Sequence, residues 1–230
     1  MSNLRNEIKR SLRMSLKNPG FTIAAVAALA LGLGANTTIF TVVNAVLLKP
    51  LSYPDADRIG QFHAIFSEGS YTVGSIPKFH NWQQQTGIFK DVAAYDFAGP
   101  GFNLTGDRPE QVHGLHVTQG YFRIFGAPLT LGRTFTAQED APNGGKIVVL
   151  SYGLWQRKFG GDRNMAGSSL SLGNEHYGIV GVLAKSFQSD PEADIWLPFH
   201  FEPNSTNQGD YFSVAGMHTR IVFRKFRFSA

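Results

Sequence analysis

The chain has 230 residues, of which 43% are apolar, and it contains 21 Lys and Arg, 17 Asp and Glu, and no Cys. The lack of Cys excludes disulfide frameworks, thiolate zinc sites and cysteine nucleophiles. Residues 1–17 and 218–230 each carry a net charge of +4, which leaves 12 basic and 16 acidic residues between them. Because nucleic-acid-binding domains concentrate basic groups on a folded face, this distribution argues against a nucleic-acid partner.

Residues 1–18 are predicted to form a basic amphipathic helix on the cytoplasmic side of a membrane. Leu4, Ile8, Leu12 and Leu16 recur every four residues, with basic residues between them. Such a helix suits the surface of an anionic leaflet. It could equally continue the next helix or contact a cytoplasmic partner, and the sequence does not separate these alternatives.

Residues 19–48 are predicted to form a transmembrane helix. The 31 residues between Lys17 and Lys49 carry no charge, and about 20 apolar residues span a bilayer. Five basic residues precede this run, and only Lys49 and Arg58 follow it closely. The positive-inside tendency therefore predicts a protein of the inner membrane, with a cytoplasmic N-terminus and a periplasmic chain after about residue 50. A cleaved signal peptide is the alternative, but apolar residues resume after Thr38 without a clear cleavage site.

Four residues of this segment are candidates for helix packing in the membrane. Ala24, Ala28, Gly32 and Asn36 recur every four residues and therefore share one helix face. Small residues at this spacing allow a second helix to approach closely. An Ala-rich helix without a partner explains the same pattern equally well.

Residues 51–216 have the polar, Gly-rich and aromatic-rich pattern of a globular domain. Helices are predicted over 75–85, with Ser75 as N-cap, over 119–125, and over 151–159, with Ser151 as N-cap and Gly160-Gly161 as the stop. Strands are predicted over 58–66, 89–95, 101–105, 111–118, 146–150, 168–172, 175–182 and 194–197. Because helices and strands mix without a regular βαβ alternation, the predicted fold class is α+β.

The sequence offers no convincing catalytic, metal or cofactor site. Residues 143–147 contain a Gly-Lys pair but lack the other positions of a P-loop, so they predict a turn that leads into a strand. His113 and His116 have the spacing of a helical metal site, but in a strand they point to opposite faces. Ser151 follows a strand as a nucleophile would, yet the glycines of a nucleophile elbow are missing and an N-cap role explains it.

The remaining acidic and aromatic residues receive structural interpretations. Two acidic clusters are predicted to be solvated loop charges: Glu139-Asp140, and Asp190 with Glu192 and Asp194. The three tryptophans are predicted to be core residues: Trp82, Trp155 and Trp196. The chain is therefore predicted not to be an enzyme and to need no cofactor.

Several stretches resemble a known family. They are the segments 31–40 and 43–51, Tyr53-Pro54, and the segments 79–82, 102–106, 131–135, 150–161 and 194–198. Together they are similar to the N-terminal part of MacB/FtsX-like ABC transporter permeases, especially the duplicated orphan permeases of acidobacteria. The resemblance implies one membrane helix followed by a MacB-like periplasmic core domain, and a separate ATPase subunit and other permease chains as partners.

The segment 217–230 departs from the family pattern, because the family continues with a further segment and three more membrane helices. Here an atypical basic tail follows, and we expect a truncated, frameshifted or fragmentary permease. Two further hypotheses remain from the sequence: a stand-alone, signal-anchored periplasmic binding or adaptor domain, and an exported hydrolase that uses Ser151 or the acidic clusters.

Overall fold

The computed structural model describes residues 19–43, 53–67, 69–106, 109–165, 167–209 and 212–219. The chain divides into two compact units, Met1–Leu51 and Ser52–Ala230. The predicted basic helix over 1–18 lies outside the described residues, as does nearly all of the segment 217–230.

The described part of the first unit is a single helix, α1 (Pro19–Val43). Residues 19–41 are long and apolar enough to cross a membrane, and 25 helical residues extend about 37 Å at 1.5 Å per residue. Residues 44–48 of the predicted span are outside the described residues.

The second unit mixes helices and strands, which confirms the predicted α+β class. Its helices are α2 (Ile76–Gln84), α3 (Gly120–Ile124) and α4 (Tyr152–Phe159). Its described strands are β1 (Ile59–Gln61), β2 (Ala64–Phe66), β3 (Gly69–Tyr71), β4 (Phe89–Tyr95), β5 (Gly101–Leu104), β6 (Glu110–Val117), β7 (Leu129–Gly132), β8 (Ile147–Leu150), β9 (Ser169–Leu172), β10 (Glu175–Leu183), β11 (Ile195–Pro198) and β12 (Ser213–His218).

Six strands close into a ring. The order is β6, β11, β8, β10, β9 and β5, and β5 pairs again with β6. The closing contact between β5 and β9 is short: Leu104 pairs with Leu172, and the N–H of Thr105 donates to the carbonyl of Ser171 at 2.9 Å. The ring forms a small barrel to which the other elements are attached.

The strand β8 shows why this region is buried on both faces. Ile147 and Val149 belong to a core cluster around α3, whereas Val148 and Leu150 belong to a cluster that includes α4. Successive strand residues point to opposite faces, so a run of four apolar residues serves two cores. The prediction of a buried strand at this position is confirmed.

Of the remaining four strands of the large sheet, β7 pairs with β10, whereas β4, β12 and β1 extend the sheet from β6. Their outer face packs with α2 in a third cluster built mainly from phenylalanines. The ring of Phe62 stacks on Trp82 with centroids 4.2 Å apart, and Phe79 lies 5.6 Å from Phe201. Trp155 and Trp196 are buried in the other two clusters, so the prediction of core tryptophans is confirmed for these two, whereas Trp82 is only partly buried.

Three local predictions need correction. The single strand predicted over 58–66 is wrong: β1 joins the large sheet, whereas β2 forms a separate hairpin with β3. Phe62, which lies between β1 and β2, is buried in the third cluster. Ser75 does occupy the N-cap position of α2, but its hydroxyl makes no capping hydrogen bond. Finally, β12 runs to His218, so Met217 and His218 belong to the sheet and not to a separate tail.

Candidate functional site

A groove of about 900 Å³ is the candidate functional site of the second unit. It lies between the start of α4 and the segment 184–194, which joins β10 to β11. This volume is in the upper range of pockets that bind ligands. The groove therefore has one wall made by a helix and one made by a long irregular segment.

The helical wall exists because the chain turns sharply after β8. Ser151 has an extended backbone, and its Oγ accepts a hydrogen bond from the N–H of Leu154 at 3.1 Å. At the other end Gly160 adopts the left-handed conformation (φ 58°) and ends the helix. The predicted N-cap and stop are both confirmed. The Ser151 hydroxyl, which the sequence offered as a remote nucleophile candidate, is used to begin a helix.

A network of charged side chains lies between the two walls of the groove and includes Arg157 and Asp194. Arg157 donates to Glu110 and Asp194, both at 3.3 Å. Burial alone would lower the pKa of Arg157, but the two carboxylates raise it by more, so its pKa lies above the usual value. Asp194 also exchanges hydrogen bonds with His113: its N–H donates to the His113 carbonyl at 2.8 Å, and its carboxylate accepts from the His113 N–H at 3.3 Å. The prediction that Asp194 is a solvated loop charge is therefore wrong.

Two charged groups at the groove remain available. Lys185 and Glu192 line it and are exposed, and neither forms an ion pair with another described residue. Asp190 is exposed too, as the sequence predicted for this acidic cluster. The groove thus presents one cation and one anion to a ligand, beside aromatic surface from Tyr152 and Phe187.

The irregular wall is attached to the domain by aromatic residues. Phe187 lies 6.0 Å from Trp196 and 6.4 Å from Tyr53, measured between ring centroids. The Tyr53 hydroxyl donates to the carbonyl of Gln188 at 3.2 Å. Burial raises the pKa of Tyr53, with a smaller contribution from the negative charge of Asp190, so the hydroxyl stays a donor at neutral pH.

The two histidines examined in the sequence lie on β6 but have different environments. His113 lines the groove, whereas the Nδ1 of His116 lies 3.0 Å from Asp96. The strand prediction for this segment is confirmed to within one residue at each end. Within the described ranges, no group of three or more His, Asp or Glu side chains is arranged to hold a metal ion.

The other acidic cluster also differs from its prediction. Glu139 accepts two hydrogen bonds of 2.7 Å from Arg133, which hold its pKa at about 2. Asp140 is partly buried and accepts from the N–H of Gln119 at 2.8 Å. Its burial outweighs its hydrogen bonds and raises its pKa to about 6. Neither carboxylate is simply solvated, because both help to hold the segment before β8.

The residues proposed for membrane packing lie on α1, and all four are exposed in the chain. The hydroxyls of Thr37 and Thr38 donate to the carbonyls four residues earlier, at 2.8 Å each, so they need no partner helix. Gly32 has open space around it, with no atom within 4 Å of an added Cβ. The structure therefore leaves this face accessible, and helix packing remains a prediction.

The family model for the MacB-like periplasmic core domain matches residues 22–222. The chain belongs to this family. It contains a MacB-like periplasmic domain of an ABC transporter permease, and its described residues include one candidate transmembrane helix, as the resemblance implied. The family is a component of transporters, not a typical enzyme family.

Solved structures of low sequence identity share the fold of the MacB-like domain. The chain is 17% identical to the extracellular domain of the noncanonical ABC-type transporter YknZ from Gram-positive bacteria (TM-score 0.52; 70% of this chain and 84% of that one covered). It is 16% identical to the periplasmic region of MacB from Actinobacillus actinomycetemcomitans (TM-score 0.54; 71% and 75% covered). A domain assigned to a permease of Porphyromonas gingivalis is 17% identical (TM-score 0.57; 74% and 79% covered). No protein of curated function matches the chain in sequence.

Sequence reasoning missed most of the groove. It singled out His113, Ser151 and Asp194 one at a time and did not predict that they line one groove. It gave no role to Arg157 or Phe187. No local signal marked Phe187, because single apolar residues are common at protein surfaces.

Proposed function

We propose that the MacB-like chain is a membrane-anchored permease subunit that couples to a separate ATPase, and that its groove binds a partner protein or cargo. The groove between α4 and the segment 184–194 is the observation that carries the binding part of the proposal. The candidate transmembrane helix and the family supply the membrane and transporter parts.

The lining of the groove favours a polypeptide over a strongly charged or a purely apolar ligand. Arg157 and Asp194 neutralise each other, and Lys185 and Glu192 add one charge of each sign. A phosphate-rich ligand would meet Glu192, and a lipid chain would meet both free charges. A polypeptide segment offers hydrogen-bonding groups, side chains of both signs and apolar surface, all of which the groove can match.

The proposed orientation places the N-terminus in the cytoplasm and the second unit in the periplasm. Five basic residues before α1 and two soon after it support this orientation. In intact cells, added protease should leave the second unit whole, and it should digest exposed segments once the outer membrane is opened. Digestion only after the inner membrane is also broken would show that the second unit is cytoplasmic and would refute the orientation.

A photo-crosslinking experiment tests the groove directly. A photoreactive amino acid at Ser189, on the groove wall, should form adducts in intact cells with an exported protein or peptide that mass spectrometry identifies. Lys185→Glu should reduce the adduct strongly, whereas Lys90→Glu, an exposed lysine on β4 away from the groove, should leave it unchanged. Equal adducts in both variants, or no adduct at all, would contradict binding in the groove.

The membrane face of α1 is proposed to contact another permease chain. Ala24, Ala28 and Gly32 would permit close approach, and the Asn36 amide, which makes no hydrogen bond to another described residue, could bond across the contact. Gly32→Ile should weaken association in a membrane two-hybrid assay, whereas Gly34→Ile on another face should not. Equal association of both variants with the wild type would refute this role.

A stand-alone anchored adaptor is the second candidate, because the second unit has a complete core and a groove of its own. The two candidates differ in the rest of the gene region. A permease requires further membrane helices, so the downstream DNA, read in all frames, should encode three hydrophobic spans. Their absence would favour the adaptor.

A further inference from the structure

Tyr53 connects the irregular wall of the groove to the core of the MacB-like domain. Its hydroxyl donates to the Gln188 carbonyl at 3.2 Å, and its ring packs edge-on against Phe125 with centroids 4.9 Å apart. The same ring lies 6.4 Å from Phe187. One side chain thus touches both the end of α3 and the groove wall.

Tyr53 is itself held firmly. The next residue, Pro54, lies against Gly126, where a Cβ would come within 2.4 Å of the Pro54 Cγ. Gly126 has a positive φ of 57° and directly follows the end of α3. Only glycine suits both this backbone conformation and this close approach, so the segment 53–54 is fixed to the core cluster that contains Phe125.

The other hydrogen bonds between the groove wall and the rest of the domain lie near the two ends of the segment. The strands on either side end at Leu183 and resume at Ile195. The N–H of Ala184 donates to the Pro128 carbonyl at the start of the segment, and Asp194 bonds to His113 at its end. The N–H of Phe187 donates to the Ala184 carbonyl within the segment. Among the described residues, the hydrogen bond that ties the middle of the segment to the rest of the domain is the one from Tyr53 to Gln188.

We propose that Tyr53 is a positioning residue that sets the width of the groove. Its hydroxyl holds the backbone at Gln188, and its ring supports Phe187, so the wall keeps one distance from α4. This inference rests on the proposed function, because the groove width matters only if the groove binds a partner. Without the hydroxyl the wall keeps the ring contact and opens part of the time; without the ring the wall loses both contacts with Tyr53 and keeps, near its middle, the contact of Phe187 with Trp196.

Distances between spin labels across the groove test the proposal in the full chain in lipid nanodiscs. The chain has no native Cys, so Gly153→Cys and Ser189→Cys place one label on each wall without a background. Gly153 is exposed and has room for a side chain. We expect one narrow distance distribution in the wild-type background. Tyr53→Phe should raise the ratio of wide to narrow grooves about five-fold, the equivalent of one hydrogen bond of about 1 kcal/mol, and Tyr53→Ala should raise it further.

Two controls separate positioning from general loosening. A label pair at Gly153→Cys and Ser169→Cys, on α4 and β9, should keep its distance in both Tyr53 variants, and Tyr71→Phe on β3 should change neither pair. Unchanged groove distances in both Tyr53 variants would overturn the proposal, as would equal broadening of the two label pairs. Because these distances are measured without a ligand, their outcome does not depend on the crosslinking test of the proposed function.

Discussion

Asp140 should make the MacB-like domain lose stability as the pH rises from 4 to 7. Its carboxyl is partly buried, and burial raises its pKa from the usual 3.8 to about 6. Hydrogen bonds from the backbone of Gln119, Phe199 and His200 act in the opposite direction but do not offset the burial. The folded state therefore prefers the neutral acid. This preference stabilises the fold below the pKa of the unfolded chain and is lost as the pH passes the folded pKa.

The size of the effect follows from the two pKa values. A shift of about 2 units corresponds to about 3 kcal/mol in full, of which about 2 to 2.5 kcal/mol falls between pH 4 and pH 7. Asp140→Asn removes the titrating group, and any effect of the amide itself on the free energy of unfolding does not depend on pH. The free energy of unfolding of the variant, relative to wild type, should therefore rise by about 2 kcal/mol over this pH range.

Urea denaturation at a series of pH values, followed by tryptophan fluorescence, measures this difference. Asp57→Asn removes an exposed carboxylate in the short turn before β1 and serves as the control. Its stability should follow that of the wild type at every pH. Parallel curves for wild type and Asp140→Asn would refute the argument that burial controls this carboxyl.

Three further predictions concern the framework around the groove. Ser151→Ala should cost about 1 kcal/mol of unfolding free energy because it removes a helix cap, and Ser151→Asp should recover most of it; a neutral Ala variant would contradict the cap. Gly132→Ala should lower the free energy of unfolding by about 3 kcal/mol or more, since its φ is 68° and a Cβ would lie 2.2 Å from the Val180 carbonyl oxygen. Gly173 has a φ of 60° but open space around it, so Gly173→Ala should lower it by about 1 kcal/mol in the same denaturation assay. Equal losses in the two variants would show that the close approach at Gly132 does not matter. Glu139→Gln should lower stability at neutral pH, and its deficit should shrink as the pH falls from 4.5 to about 2, because folding lowers the pKa of Glu139 from 4.5 to about 2. A deficit independent of pH would exclude the ionic contribution.

Local patterns predicted the elements whose signals lie within a few residues. The helix α4 has a serine before it and glycine after it, and both form the predicted cap and stop. The strand β8 is a short apolar run that is buried on both faces. Such elements depend on backbone conformations and burial that neighbouring residues already specify.

The strand β12 shows what the sequence could not predict. Its first residues are small and include Gly216, which has low strand propensity. It is a strand because it pairs with β4 on one side and β1 on the other. The lack of a side chain at Gly216 leaves room for Phe62 and Phe89, since a Cβ there would come within 2.9 Å of both rings. These partners lie more than a hundred residues away in the chain.

The groove could not be predicted for the same reason. Tyr53, Arg157 and Phe187 come from three distant parts of the sequence, and each has an ordinary local context. Only the closed ring and the packing of α3 bring them to one place. The resemblance to a family predicted the kind of domain, but not which surface of it is concave.

The closed ring also affects how copies of the MacB-like chain can meet in a crowded membrane. Each of its six strands pairs with a neighbour on both sides within the ring, and the strands with a single neighbour in the described sheet, β1 and β7, have only three and four residues. Short edges make poor templates for intermolecular strand pairing. Neighbouring copies in one membrane should therefore not aggregate through strand pairing, and the groove of each copy should stay accessible to other molecules.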